Sequence, residues 1–229
     1  MVFNFYMATN IIFGPGKVRE VGEHVKPIGK KALIVTGKSS AKKAGYLELV
    51  TKSLEQESIE WVLFDEVVSN PLTTTVDRGA ELARKNCVDV VIGLGGGSAM
   101  DSAKAIAFGA KNEGPIASYI GTDTQGKALP IVLITTTAGT GSEANNYAVM
   151  TNTETKVKRS ISSPYTYAAI SIVDPELMLT VPQKVTAYTG IDVFFHAMEA
   201  YLSKRCQPIT ETFSLKAMAL VVENLKGAY

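Results

Sequence analysis

The sequence predicts an α/β fold, in which helices cover both faces of a parallel sheet, followed by the start of an all-helical domain. Up to Gly141, apolar segments of strand length alternate with segments of helical length. Polar loops rich in glycine or hydroxyl residues follow two of these strands, and from about Pro182 onward the pattern is helical. Continuous apolar strands between helices are typical of a parallel sheet buried on both faces.

The elements follow in order along the chain. The segment from Phe5 to Gly16 indicates a strand or hairpin closed by Gly14-Pro15-Gly16. Strands are then predicted at Ala32–Thr36, Glu60–Phe64, Val88–Ile92 and Ile131–Thr135, with helices at 17–25, 45–56, 74–85 and 98–108. Residues 147–173 alternate in short strand-like pieces, including Tyr167–Val173, and helices follow at Lys184–Ser203 and Ile209–Leu225. We therefore expect an α/β domain at 1–180 and an incomplete helical domain at 181–229.

Composition excludes several classes of function. The 229 residues include 46% hydrophobic and 20% charged residues, with a formal charge of +1. That balance argues against a nucleic-acid or anionic-membrane surface, and no apolar run is long enough to span a bilayer. The chain has two cysteines, without metal or disulfide spacing, and Cys87 is interpreted as a small buried residue. We expect a cytoplasmic setting.

The first candidate site follows the strand at Val88–Ile92. Gly93-Leu94-Gly95-Gly96-Gly97-Ser98 leads directly into a helix, which is the context that a glycine-rich phosphate loop needs. Helix-start N–H groups bind phosphate oxygens there, although a tight turn could also require glycines. Ser98 is placed to cap the helix or to bind phosphate, and Asp101 fits a capping box as well as a functional role. No acidic residue ends the next strand convincingly, since Asp123 lies in a polar loop.

The second candidate site follows the strand at Ile131–Thr135. The segment Thr135–Glu143 combines small hydroxyl residues, glycines and one carboxylate. Such a segment at a strand's carboxyl end is typical of a ligand loop in open α/β sheets, although it could also be an ordinary polar connection.

A third candidate site lies in the predicted helix at Lys184–Ser203. Asp192 and His196 are spaced i and i+4, so they share one helix face, with Glu199 close to it. A carboxylate and an imidazole suit Fe²⁺ or Zn²⁺, while an Asp–His pair that only stabilises the helix is the commoner alternative. The other histidine, His24, is interpreted as solvated or as facing a helix dipole.

Four ordered motifs resemble the iron-containing alcohol dehydrogenase family. They are FGPGKV near the start, GLGGGSAMDSAKA at 93–105, TTAGTGSE at 136–143 and TGIDVFFHAMEAY at 189–201. Dehydroquinate synthase and glycerol dehydrogenase share the fold, but TTAGTGSE favours the alcohol dehydrogenase branch. The resemblance implies a dehydroquinate synthase-like fold, in which the α/β domain at 1–180 binds a dinucleotide, the helical domain at 181–229 binds the metal, and the site lies between them. Members of the family are often dimers or larger homo-oligomers.

The resemblance also implies roles for individual residues. The pyrophosphate would be held by Gly95, Gly96, Gly97 and Ser98, with Asp101 beside them. Further cofactor contacts would come from Thr136, Thr137, Thr140, Asn70, Val149 and Lys158. Asp192 and His196 match two metal ligands, with Fe²⁺ as the expected ion and Zn²⁺ as the alternative. The substrates implied are small primary alcohols or diols and their aldehydes.

The chain departs from the family pattern at three places. Thr135 stands where proline is usual. Gly37 stands where NAD-using members commonly have aspartate, and without that carboxylate Lys38 and Ser39 could hold a 2′-phosphate, so we expect NADP, with NAD as the alternative. The remaining two metal ligands of the family, both histidines, would lie beyond Tyr229, so the chain is either a fragment or a short gene product. A nucleotide-binding module without catalysis is therefore the competing interpretation.

Overall fold

The structure, a computed structural model, describes residues 2–122 and 124–229, so Asp123 lies outside the described residues. The strands are β1 (Asn10–Phe13), β2 (Lys31–Gly37), β3 (Glu60–Val67), β4 (Val90–Gly95), β5 (Ile131–Thr135), β6 (Tyr147–Thr151), β7 (Lys158–Ser162) and β8 (Ile170–Val173). The α-helices are α1 (Val21–Val25), α2 (Ser40–Lys43), α3 (Tyr46–Gln56), α4 (Thr73–Lys85), α5 (Gly97–Gly109), α6 (Gln183–Leu202) and α7 (Pro208–Ala228).

The main sheet has the order β1-β8-β5-β4-β2-β3, and all of its strand pairs are parallel. The predicted parallel sheet is thus confirmed. Strands β6 and β7 form a separate antiparallel pair. Alternate residues of the central strands face two cores: Leu33 and Val35 belong to one, and Ile34 and Ile92 to the other. Burial on both faces explains why these strands are continuously apolar.

The sheet changes direction between β2 and β4. The chain passes from β2 outward to β3, and then returns to place β4 on the other side of β2. Ligands in open α/β sheets bind outside the carboxyl ends of the strands at such a switch point. Gly37 ends β2 and Gly95 ends β4, so the topology by itself brings two candidate loops together.

The amino-terminal segment is not a hairpin. Strand β1 instead forms an edge of the main sheet, where Asn10 pairs with Ile170 of β8. In the turn after β1, the Gly16 and Val18 N–H groups donate to the buried carboxylate of Asp174, at 3.2 and 3.1 Å. The FGPGKV motif therefore fastens the first strand to the end of β8. The helix predicted at 17–25 is a 3₁₀ turn, Lys17–Glu20, continued by α1.

Two details of the sequence interpretation are wrong. Cys87 is exposed, because it turns the chain after α4 with φ 52° instead of entering the strand. Strand β4 begins at Val90 and continues to Gly95, because the ladder to β5 pairs Leu94 with Ile134 and Gly95 with Thr135. His24 is half-buried in the last turn of α1, which agrees with the predicted alternative of a basic side chain facing the helix dipole.

Helices α6 and α7 follow the last strand of the sheet in the chain, and they pack against each other. Most of their surface is open, and Phe195, Leu202, Phe213 and Val222 are at least 50% exposed. The two helices therefore leave large apolar side chains exposed. Among residues 2–122 and 124–229, no helix combines the length and the hydropathy that crossing a bilayer requires.

Candidate functional site

The glycine-rich loop joins β4 to α5 at the switch point. Gly95 has φ 147°, a backbone conformation that L side chains rarely adopt. The N–H groups of Ala99 and Met100 both donate to the Gly96 carbonyl, at 3.0 and 3.2 Å. Gly97 and Ser98 are the first two residues of α5 and come before these donors. The first N–H groups of a helix have no intrahelical partner. Free amides at the start of a helix are able to bind an anion.

The predicted caps of α5 are wrong. Gly96 is the N-cap and makes no side-chain hydrogen bond, so Ser98 is the second helical residue and Asp101 lies beyond the capping-box position. Strand β4 ends at Gly95 and α5 begins at Gly97, so the cap position falls on Gly96. Ser98 and Asp101 are therefore not occupied by capping, which leaves both side chains for other contacts.

The loop after β5 packs directly on the glycine-rich loop. A Cβ added at Gly96 would lie 2.9 Å from Thr137 Oγ1, and one added at Gly97 would lie 2.7 Å from Thr140 Cγ2. The Thr136 N–H donates to the Gly95 carbonyl at 3.1 Å. The structure thus brings together the predicted residues of both loops, with the threonine side chains beside the free amides of α5.

The end of β2 lies next to this pair of loops, because Thr36 pairs with Leu94 of β4. Lys38 and Ser39 are exposed. A Cβ added at Gly37 would meet only ordinary contacts, with Val67 O at 3.6 Å as the nearest atom. A Cβ would therefore fit at this position, so the contacts around it do not require a glycine.

A cleft of about 600 Å³ opens between the sheet and the start of α6. Residues from α2, α3, both loops, the segment before α6 and the first turn of α6 line it. They are Ser40, Lys43, Tyr46, Gly96, Thr136, Thr137, Leu177, Thr180 and Val185. The Tyr46 hydroxyl and the Thr180 hydroxyl are 2.6 Å apart across it. The volume of the cleft lies in the usual range of small-molecule sites, and its lining combines apolar with hydroxyl side chains. These properties suit the nucleoside half of a dinucleotide.

The remaining predicted cofactor residues lie on the opposite face of the sheet. Lys158 of β7 donates to Asn70 Oδ1 at 2.8 Å, and Asn70 has φ 54° in the loop between β3 and α4. Val149 lies on β6, the partner of β7. Val149 and Lys158 lie close to Asp101, because a Val149 backbone hydrogen bond and the Lys158 charge both oppose the rise in the pKa of its carboxyl.

A buried charge network lies under the two loops, and the sequence analysis missed it. Lys104 is fully buried, and its Nζ donates to Ser142 Oγ at 2.8 Å, to Asn145 Oδ1 at 3.2 Å and to the Tyr147 carbonyl at 2.9 Å. Ser142 Oγ in turn donates to Asp101 Oδ1 at 2.6 Å. A single lysine among the small apolar residues of α5 was the signal that could have identified it.

Burial determines how these groups titrate. It raises the pKa of the Asp101 carboxyl above its ordinary value, while the Lys104 charge and the Ser142 hydrogen bond oppose the rise. It likewise raises the pKa of Glu143. It lowers the pKa of Lys104 to about 8, although the carboxylates of Asp101 and Glu143 act in the opposite direction.

The predicted metal ligands lie on one face of α6. His196 Nε2 is 3.5 Å from Asp192 Oδ1, and both side chains are about half-exposed. Two ligands about 2.1 Å from one tetrahedral ion lie about 3.4 Å apart, so the pair fits part of a ligand set. A Cβ added at Gly139 would lie 3.6 Å from Asp192 Oδ2, so the loop after β5 contacts this face.

The pair does not form a complete metal site. Across residues 2–122 and 124–229, no group of three or more histidine, cysteine, aspartate or glutamate side chains is placed to hold an ion. Glu199 therefore does not join Asp192 and His196 as a third ligand.

Comparisons with known proteins agree with this arrangement. A family model described as iron-containing alcohol dehydrogenase matches residues 8–175, and one described as Fe-containing alcohol dehydrogenase family, C-terminal, matches residues 186–229. The chain is 43% identical over 227 residues to 1,3-propanediol dehydrogenase of Citrobacter freundii, covering 97% of this chain and 59% of that protein.

Solved structures give the same result. A 1,3-propanediol oxidoreductase superimposes with a TM-score of 0.95 at 39% identity, over 100% of this chain and 60% of that one. An NADH-dependent butanol dehydrogenase A from Thermotoga maritima gives 0.92 at 37% identity, over 98% and 57%. The chain thus spans about three fifths of the length of the relatives that it matches.

Proposed function

The chain belongs to the iron-containing alcohol dehydrogenase family, and on that premise we propose that it binds NADP and takes part in interconverting small primary alcohols or diols with their aldehydes. One observation carries the proposal. The free amides of α5, the threonines after β5 and the Asp192–His196 face of α6 meet at the carboxyl edge of the parallel sheet. A dinucleotide needs the first two features, and alcohol chemistry in this family needs the third.

The cofactor would lie across the switch point. Gly95, Gly96, Gly97 and Ser98 would hold the pyrophosphate, Thr136, Thr137 and Thr140 would flank it, and Asn70, Asp101, Val149 and Lys158 would receive the nicotinamide half. The adenosine half would enter the cleft beside Tyr46, where Lys38 and Ser39 would bind a 2′-phosphate. The lack of a carboxylate at Gly37 supports NADP. NAD remains the alternative because the butanol dehydrogenase A of Thermotoga maritima is NADH-dependent.

The proposed domain boundary is near residue 180, with the α/β domain before it and the beginning of a helical domain after it. Asp192 and His196 would hold Fe²⁺, or Zn²⁺, together with ligands from outside the described residues. When bound, the ion supplies Lewis-acid activation of the alcohol oxygen, and the nicotinamide accepts the hydride. The chain itself contributes binding and orientation: the amides of α5 fix the cofactor's phosphates, and Asp101 and Lys158 orient its far end.

We also propose a cytoplasmic location and a homo-oligomer, with a dimer as the simplest form. The exposed free thiol of Cys87 is compatible with a reducing compartment. The edge strand β1 leaves Ile11 and Phe13 39% and 68% exposed, which a second subunit could cover.

The test is a titration of the chain with NADP and NAD, alone and with Fe²⁺ or Zn²⁺, followed by butanal reduction monitored by the absorbance of the reduced cofactor. We expect NADP to bind more tightly than NAD. Absence of binding by a folded chain would overturn the nucleotide site, and tighter binding of NAD would overturn the NADP assignment. A single mass on gel filtration equal to one chain would overturn the homo-oligomer.

A nucleotide-binding module without catalysis is the second candidate. The observation that favours it is the absence of a third metal ligand near Asp192 and His196 among the described residues. Nucleotide binding without turnover at any metal concentration would support this candidate, and metal-dependent turnover would reject it.

A further inference from the structure

The ammonium group of Lys104 is enclosed by the segment that follows the loop after β5. Its three donated hydrogen bonds go to Ser142, Asn145 and Tyr147, which lie 38, 41 and 43 residues further along the chain. Asn145 also donates through Nδ2 to the Gly141 carbonyl at 2.9 Å. The cation therefore fixes the course of the chain from Gly141 to Tyr147, immediately after the threonine that packs on Gly97.

The same cation acts on Asp101 through one intermediate side chain. Lys104 Nζ lies 3.9 Å from Asp101 Oδ1, too far for a hydrogen bond, while Ser142 Oγ accepts from Nζ and donates to Oδ1. The Asp101 side chain is 14% exposed, so it reaches the surface of the site from a buried origin. The Oδ1 oxygen of Asp101 is thus held on its buried side by Ser142.

The two ends of the site lie on opposite faces of the sheet. Ala41, Tyr46 and Leu177, beside the nucleoside cleft, belong to one core. Ala148, Met150 and Ile161, on the strands next to Asp101, belong to the other. A dinucleotide held by its pyrophosphate at Gly97 therefore extends one half to each face, and Asp101 meets the half that does not enter the cleft.

We propose that Lys104 is a positioning residue for the nicotinamide half of the cofactor, which it serves by holding Asp101 in place through Ser142. The inference rests on the proposed cofactor site. Without the cation, the Asp101 carboxyl would keep the Ser142 hydroxyl and the Val149 backbone hydrogen bond, but Ser142 would lose the donor that fixes its own orientation. Asp101 would then turn or take up a proton, and in either case it would stop presenting a fixed acceptor to the ligand.

The experiment compares two ligands that differ only in the nicotinamide group. NADPH and 2′-phospho-ADP-ribose are titrated into the wild-type chain and into Lys104→Met, which keeps an unbranched side chain, one atom shorter, and removes its charge. We expect NADPH to bind Lys104→Met at least about tenfold more weakly, the usual effect of losing a hydrogen bond to a charged group. The affinity for 2′-phospho-ADP-ribose should change by less than about twofold, since the pyrophosphate site is left intact.

Two further variants keep the test decisive. Lys111→Met removes an exposed lysine just after the same helix and should leave both affinities unchanged. Ser142→Ala breaks only the link between Lys104 and Asp101, and should show the same ligand selectivity if Lys104→Met fails to fold.

Each outcome has one meaning. Equal weakening of both ligands in Lys104→Met and Ser142→Ala would assign a purely structural role to Lys104 and overturn the inference. Unchanged NADPH affinity in both variants would also overturn it, while leaving the proposed function intact. If the folded wild-type chain binds neither ligand, it is the proposed cofactor site that fails.

Discussion

Thr140 lies against Gly97 so closely that a Cβ at position 97 would come within 2.7 Å of the threonine Cγ2. The start of α5 and the loop after β5 therefore form one surface, in which the glycine makes room for the threonine. Any side chain at position 97 must displace the Thr140 side chain.

Gly97→Ala should weaken nucleotide binding by about tenfold or more, because displacement of Thr140 changes both halves of the phosphate site. Isothermal titration with NADPH measures the effect. Gly227→Ala is the matched control, since a Cβ at Gly227 meets nothing within 4 Å. Equal affinities in Gly97→Ala and wild type would show that the loops do not act as one phosphate site.

Gly37→Asp should exchange NADP preference for NAD preference. A Cβ at Gly37 meets only ordinary contacts, so the new carboxylate would fit beside the ribose, bind its hydroxyls and repel a 2′-phosphate. We expect the NADP-to-NAD affinity ratio to fall by at least about tenfold. Gly37→Asn, which has the same shape without the charge, should change the ratio much less. Equal ratios for the two variants would show that this position does not contact the 2′-phosphate.

The central strands could be predicted from the sequence because burial on both faces leaves a continuous apolar run. β2 and β5 are the clearest cases, each within two residues of its predicted bounds. The end of β4 could not be predicted, since backbone pairing with β5 carries the strand through glycines that side-chain patterns assign to a loop. The position of Cys87 was missed for a related reason, because a positive φ is set by the turn after α4 and not by the thiol.

The candidate site was predictable where glycines and hydroxyl residues cluster locally, as at Gly95–Ser98 and Thr136–Thr140. Lys104 was not, because its partners are about forty residues away along the chain and a single lysine in a helix usually points to solvent. The closeness of Gly139 to Asp192 is likewise a tertiary result, since it depends on how α6 approaches the loop.

The titration of Lys104 should make stability depend on pH in alkaline solution. Its pKa is lowered to about 8 in the folded chain by burial, against the opposing charges of Asp101 and Glu143, and is 10.5 ordinarily. Between these values the unfolded chain holds a proton that the folded chain has released, so stability rises with pH across this window. The full gain is on the order of 3 kcal/mol.

Urea unfolding at a series of pH values measures this gain, relative to the double variant Asp101→Asn/Lys104→Met, in which neither buried group titrates. The free energy of unfolding of the wild type should rise relative to the variant from about pH 8 upward and level off near the ordinary lysine pKa. A difference that stays constant, or that falls with pH, would show that Lys104 keeps its proton in the folded chain.

The metal affinity of the chain should depend on both Asp192 and His196. Their facing atoms are 3.5 Å apart and half-exposed, which suits two ligands of one tetrahedral ion but leaves the other positions to water. We therefore expect weak Zn²⁺ binding by isothermal titration, lost in Asp192→Ala and in His196→Ala alike. Glu223→Ala, an exposed acid on α7, is the control and should bind as the wild type does. Loss of binding in only one of the two site variants would mean that the pair does not share an ion, and unchanged binding in both would place the metal elsewhere on the chain.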